Sequence, residues 1–276
     1  MKYEGEPLIY MSLGAGVQST AMLVLANQGK IPRPEFAVFA DTGDEPQYVY
    51  DYLEILKEWS EIPIRVTRHK TGISLSENFK NIALAGKTFV SIPVYTISPN
   101  GEKGLTRRQC THEFKIEPII QEVRRAMGLK FRQRVKRRAI AQIGISMDEA
   151  TRMKPSREKW CTHTWPLIDL RMYRNDCYRI VVEAGLPEPQ KSACTFCPFH
   201  SDREWMNLRD NHPSDFEKAV EVDELIRNMA LINPRGLIGQ QFVHNSCVPL
   251  REVKFRGEGQ TEINWFENEC EGMCGV

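Results

Sequence analysis

Two kinds of residue in this 276-residue chain are spaced for chemistry. The first is a glycine turn, Gly14-Ala15-Gly16-Val17-Gln18-Ser19, between the apolar runs Leu8 to Leu13 and Ala21 to Ala26. Glycines let backbone N–H groups approach an oxygen closely, and a helix beginning at Ser19 or Thr20 adds unpaired amides and the positive end of its dipole. A phosphate suits such a turn, although strand-to-helix packing is another use of the same glycines. The turn lacks both a Gly-Lys-Ser/Thr ending and a third glycine, so it matches neither of the two commoner nucleotide loops. The second kind is cysteine. Eight are present, and Cys194-x-x-Cys197-Pro198 has a spacing at which two thiolates reach one metal or two irons of one cluster. Cys177 falls in the first turn of an expected helix and Cys110 beside Arg107 and Arg108, settings that favour thiolate.

The elements that must position these groups follow from periodicity. Leu8 to Leu13 reads as a buried strand, the following apolar run as a helix against a sheet, and Phe36 to Ala40 as a second strand ending at Asp41-Thr42-Gly43. Val49, Tyr52, Leu53 and Leu56 form a helical stripe, and Pro63 to Thr67 is a third strand. Strands alternating with helices over short links predict an α/β fold with a doubly wound, mostly parallel sheet, and ligands at the carboxyl ends of its strands. Residues 69–109 read as a flap or hairpin inserted over the site. An amphipathic helix follows around Ile116 to Met127, then a basic run, then a strand over Ala139 to Ile145 ending at Gly144-Ile145-Ser146. Ser146 and Glu149 are spaced as a capping box, as are Ser201 with Glu204 and Ser214 with Glu217. Pro166 to Leu170 reads as a strand and Asn175 to Ala184 as a helix. The expected division is a nucleotide-binding domain over 1–170 and a Cys-rich, largely helical region over 171–276 with a flexible tail.

Composition narrows the class. With 41% hydrophobic and 26% charged residues the chain has the balance of an ordinary soluble protein, and its net charge of +1 requires no polyanionic partner for the whole. No stretch approaches the roughly 18 apolar residues of a membrane span, and Glu4 and Glu6 stand where a signal peptide would be basic and then apolar. A cytoplasmic protein without a membrane partner is the expectation. In that reducing setting the cysteines read as metal ligands or redox groups rather than as disulfides, with Cys161 and Cys247 as ordinary thiols. Lys130, Arg132, Arg134, Lys136, Arg137 and Arg138 make one acid-free basic run, read either as a contact for nucleic-acid phosphates or as a solvated face.

Taken together these motifs resemble the PP-loop ATP pyrophosphatase superfamily, in its phosphoadenosine phosphosulfate (PAPS) reductase-like branch. The glycine turn is similar to that family's Ser-Gly-Gly-x-Asp-Ser loop at Gly16 and Ser19, while Gly14 and Gln18 depart from it. Asp41-Thr42-Gly43-Asp44-Glu45-Pro46-Gln47-Tyr48 resembles the second signature, and Cys110-Thr-His-Glu-Phe-Lys115-Ile116-Glu-Pro118 the third. Gly144-Ile145-Ser146 with Arg152 resembles the next nucleotide-side motif. The resemblance covers roughly residues 8 to 200 and implies an adenine nucleotide α-hydrolase-like fold. ATP with Mg²⁺ is then expected on Ser12, Gly14, Gly16, Val17, Gln18, Ser19, Asp41, Thr42, Gly43 and Gly144, with Lys115 and Arg152 stabilising developing charge. It further implies a [4Fe–4S] cluster on Cys110, Cys177, Cys194 and Cys197, with zinc as the competing metal. Cys270 and Cys274 resemble the Cys-Gly tail that brings a nucleophilic thiol to substrate, or one of them replaces Cys110 as a ligand. The expected reaction is adenylation of an acceptor and transfer of sulfur to it from a sulfur donor. The alternatives are thiol-dependent reduction of a sulfonucleotide, with a thiol reductant as partner, and non-catalytic binding of a nucleotide or nucleic acid.

Overall fold

The computed structural model describes residues 3–84, 92–232 and 239–257. Five parallel strands form the main sheet: β1 (Leu8–Ser12), β2 (Phe36–Asp41), β3 (Ile64–Arg68), β6 (Ala139–Gln142) and β7 (Cys161–Thr164), in the order β3-β2-β1-β6-β7. The register sets Tyr10 beside Phe36 on one side and Ala141 on the other. The α/β, mostly parallel architecture expected from the sequence is present.

Side-chain alternation divides the sheet into two buried faces. Met11, Leu13, Ala37 and Phe39 face α1 (Val17–Asn27), α2 (Gln47–Trp59) and α6 (Arg174–Glu183). Leu8, Tyr10, Phe36 and Val38 face α4 (Glu117–Ala126) through Ile119 and Val123. β1 is buried on both sides, which is why it reads as an apolar run without polar alternation.

The insertion contains a helix the sequence reading did not find, α3 (Leu75–Leu84), ahead of an antiparallel hairpin of β4 (Tyr95–Ile97) and β5 (Lys103–Leu105). β8 (Gln240–Phe242) pairs with β4 to complete a three-stranded sheet. A third core joins Leu75, Phe79, Val94 and Phe114 to Cys194, Phe196 and Trp205, and to α7 (Asp202–Asn211) and α8 (Pro213–Ile232) through Leu208, Phe216 and Val220.

Several local expectations are corrected. Pro166–Asp169 is a short helix, α5, because proline at its first position starts a turn; the strand that pairs with β6 lies just before it, over Cys161–Thr164. Ser146 does not close a capping box: its Oγ donates to Asp148 Oδ2, and the Glu149 carboxylate turns to Arg152 and Gln18. Helix α8 starts at Pro213, one residue before the expected Ser214. The box at Ser201 and Glu204 forms as expected. Among the described residues no helix is long and apolar enough to cross a membrane.

Candidate functional site

The chain runs outward from β1 to β2 and β3, then returns to place β6 on the other side of β1, so the order reverses between β1 and β6. Ligands of open α/β sheets bind beyond the carboxyl ends of strands at such a reversal. The three turns singled out from the sequence end β1, β2 and β6, and all lie along this edge.

The first turn is held open by its own backbone. Gly14 N–H donates to Ser19 Oγ (3.2 Å), and that hydroxyl donates back to the Gly16 carbonyl (3.2 Å). Ala15 lies at φ +59°, a left-handed conformation that is strained for any residue with a Cβ. Gly16 is extended, and α1 starts at Val17, earlier than expected, with no side-chain cap and no acidic residue in its first turn. The Val17, Gln18 and Ser19 amides therefore have no intrahelical acceptor and point where an anion would lie.

Gln18 is fully buried and turned inward. Its Nε2 donates to Ser146 Oγ (3.4 Å) and Glu149 Oε2 (3.3 Å), and its Oε1 accepts from Arg174 Nη1 (3.2 Å). A neutral amide serves both a carboxylate and a guanidinium here, whereas an aspartate would set two carboxylates against each other. Gln18 thus ties the first turn to the segment after Gly144, where Arg152 pairs with Glu149 at 2.5 Å.

At the second turn Asp41 is engaged on both oxygens. Oδ1 accepts from Gly43 N–H (2.7 Å) and the Tyr50 hydroxyl (2.8 Å), and Oδ2 accepts from Arg68 Nε (2.7 Å) and Nη2 (2.6 Å). Burial, and then the adjacent Asp41 charge, raise the Tyr50 phenol far above its ordinary range, so it stays a donor. Gly43 lies at φ +78°, and a Cβ there would stand 2.7 Å from Ser74 Cβ. Asp41, Gly43, Tyr50, Arg68, Ser74 and Glu77 line an open cleft of ≈ 510 Å³. Tyr50 and Arg68 were not singled out from sequence. Arg68 is the register partner of Asp41, so pairing the ends of β2 and β3 is the signal that would have found it.

Beneath this turn lies a buried polar group that joins three separate motifs. Glu45 Oε1 receives the Lys115 ammonium (3.2 Å), the Thr42 hydroxyl (3.3 Å) and the Cys194 thiol (3.8 Å). Thr42 Oγ1 also touches Cys194 Sγ at 3.2 Å, and Thr195 N–H donates to the Asp44 carbonyl at 2.8 Å. Lys115 reaches in from a π-helical turn, Thr111–Ile116, that follows Cys110 and runs into α4. Burial, and next the charge of Glu45, push the Cys194 thiol well above its ordinary range. Cys110, Lys115, Cys194 and Cys197 together line a small cavity of ≈ 30 Å³ with Arg108 and Phe199.

Three of the four expected metal ligands therefore line one cavity. The fourth does not: Cys177 is wholly buried in the separate core that α6 forms with α1. Among the described residues no group of three or more His, Cys, Asp or Glu side chains is placed to hold a metal ion. With Cys177 and Cys194 in different cores, the set Cys110, Cys177, Cys194 and Cys197 does not fit a single cluster in this arrangement. Cys270 and Cys274 lie outside the described residues.

No family model matches the chain, and a search of curated proteins gives no match. A solved structure does resemble it in chain path. This is the phosphoadenylyl-sulfate (PAPS) reductase of Candida auris in complex with phosphate, 13% identical over 66% of this chain and 75% of that one, with a TM-score of 0.45.

Proposed function

We propose that this chain is an enzyme that holds an adenine nucleotide across the β1 and β2 turns and performs sulfur chemistry with thiols packed against the second turn. The observation that carries the reading is the contact of Thr42 Oγ1 with Cys194 Sγ at 3.2 Å, which brings the cysteine motif onto a nucleotide-side turn. The Val17 to Ser19 amides, with Arg174 and Arg152 nearby, would receive phosphate oxygens, and the cleft beside Asp41 would receive the rest of the nucleotide. Asp41 acts as a structural anchor, since both its oxygens are engaged. The Mg²⁺ of an ATP complex would have to be held by the phosphates and water.

Gln18 points inward, so the first turn offers no carboxylate to a nucleotide-bound metal. This favours a sulfonucleotide substrate over adenylation of an acceptor by ATP: a thiolate attacks its sulfur, the bond from sulfur to the phosphate oxygen breaks as the nucleotide leaves, and a dithiol reductant then displaces sulfite and becomes the disulfide. Cys110 and Cys197 are partly exposed and Cys194 is buried, so the attacking thiol is expected to be a more accessible one than Cys194.

The test is to incubate anaerobically purified protein, with a dithiol reductant, separately with a sulfonucleotide and with ATP. Sulfite released from the first supports the reading as stated. Pyrophosphate and AMP from the second would move it to the adenylating, sulfur-transferring alternative. Neither product, in a protein that still binds nucleotide, would overturn the catalytic reading.

A further inference from the structure

The basic run leaves the sheet at the end opposite the nucleotide turns. Residues 128–138 lead into the amino end of β6, whereas the turns lie beyond the carboxyl ends, separated by at least the roughly 13 Å that four strand residues span. What this segment does is therefore independent of the cleft.

The six cations divide into two groups. Arg137 donates to Glu35 Oε1 (2.6 Å) and the Glu6 carbonyl (2.7 Å), and Arg138 lies over the Tyr3 ring at 5.0 Å, so these two fasten the segment to the residues that lead into β1 and β2. Arg124 Nη2 braces the Gln133 carbonyl at 2.6 Å. Above that base, Lys130 and Gln133 close a turn by two hydrogen bonds, Gln133 N–H to the Lys130 carbonyl (3.0 Å) and Lys130 N–H to Gln133 Oε1 (2.9 Å). Phe131 and Arg132 sit at its tip, with Arg132 held at φ +59°. The Arg132 guanidinium lies 5.1 Å from the centre of the Phe131 ring. Lys130, Arg134 and Lys136 are exposed and have no ion-pair partner among the described residues.

Phe131 is 87% exposed, while the next most exposed large apolar side chain among the described residues, Tyr173, is 53% exposed. A braced turn that holds a lone aromatic ring in water, with a guanidinium at the ring and three further exposed cations in the same segment, has the parts of a base-stacking platform. Every base has a π-face to stack, and the cations track the sugar–phosphate backbone. A duplex keeps its base faces stacked and offers none to the ring. One ring without an apolar surround is also too little surface to enter a membrane, where an apolar helix face is the usual device. We propose that the turn Lys130–Gln133, with Arg134 and Lys136, binds single-stranded nucleic acid by stacking a base on Phe131.

The test uses the full chain and fluorescence anisotropy with labelled 12-nucleotide oligo-dT and oligo-U. Phe131→Ala should weaken binding about 5- to 150-fold, and Phe131→Trp should restore it. Removing Lys130, Arg134 and Lys136 together should reduce the slope of log affinity against log salt by about 2. The DNA and RNA arms tell which strand is preferred. The variants are on the surface and remote from the cleft, so adenine-nucleotide binding should be unchanged; loss of the proposed enzyme activity would leave this proposal standing, and the reverse also holds. Equal binding by Phe131→Ala and wild type would overturn it. So would duplex binding as tight as single-strand binding, or Phe131-dependent binding to phosphatidylserine vesicles without binding to oligonucleotide.

Discussion

Gly43→Ala is the substitution whose effect the structure determines most closely. Two costs add. At φ +78° a side chain meets the left-handed penalty of about 1–2 kcal/mol. The new Cβ would also stand 2.7 Å from Ser74 Cβ and 3.0 Å from Ser74 Cα, contacts that must be relieved by moving backbone. Overpacking of this kind costs about 1–3 kcal/mol. Ser74 cannot yield freely, because its Oγ accepts from Glu77 N–H (3.1 Å) at the start of α3, and Ser76 beside it is fixed by Asp44 through N–H (2.7 Å) and Oγ (2.6 Å). The expected loss is about 2–5 kcal/mol in urea unfolding at constant m. Gly29→Ala supplies the control, since Gly29 lies at φ +70° with no atom within 4 Å of a new Cβ. It should lose only about 1–2 kcal/mol. Losses within about 0.5 kcal/mol of each other would refute the argument that Gly43 is required by its approach to Ser74.

Other substitutions test the buried group and the pH response. Lys115→Met leaves the Glu45 charge unpaired in the core and should cost about 3–5 kcal/mol, while the double variant Glu45→Gln, Lys115→Met should lose less than the sum of the singles; additivity within about 0.5 kcal/mol would show that the pair is not coupled. In timed alkylation followed by mass spectrometry at neutral pH, Cys110 and Cys197 should react before Cys194, which is shielded and whose burial raises its pKa; first labelling of Cys194 would contradict its place beneath Thr42. At Glu204 burial opposes the charge, but the His200 ring, with Nδ1 3.7 Å from Oε2, and the Lys191 ammonium at 2.8 Å outweigh it and lower the carboxyl from 4.5 to about 2. Its contribution, at most about 3 kcal/mol, is therefore fully present above about pH 4.5 and is lost as pH falls toward 2. Glu204→Gln should lower stability at pH 7 and flatten that acid limb; an unchanged limb would remove the cause assigned.

The turns of this site were legible because each needs residue types that few other roles require. Gly14 to Ser19, Asp41-Thr42-Gly43 and Gly144 stand at strand ends on one edge of the sheet, as the alternation of strands and helices implies. Which charges meet was not legible, since pairing depends on register and on contacts far apart in the chain. Arg68 reaches Asp41 only because β2 and β3 align their ends, and Glu45 meets Lys115 and Cys194 across 70 and 149 positions. Local spacing misled where a tertiary partner competes: Ser146 and Glu149 have the spacing of a capping box, but Asp148, Arg152 and Gln18 take their side chains. Cys177 shows the same limit. A thiol in the first turn of a helix reads as reactive, yet the face of α6 that carries it packs against α1.

The central claim is that an adenine nucleotide lies across the β1 and β2 turns. Titrating isotope-labelled protein with adenosine 5′-phosphosulfate, 3′-phosphoadenosine 5′-phosphate and ATP, and following the backbone amides by NMR, tests it most directly. The Val17, Gln18, Ser19 and Gly43 amides should shift together with at least one of these nucleotides, and should saturate at a lower concentration than any shift at Phe131 and Arg134 at the opposite end of the sheet. Saturable shifts elsewhere that leave both turns unmoved, or no shift with any nucleotide at millimolar concentration, would contradict it.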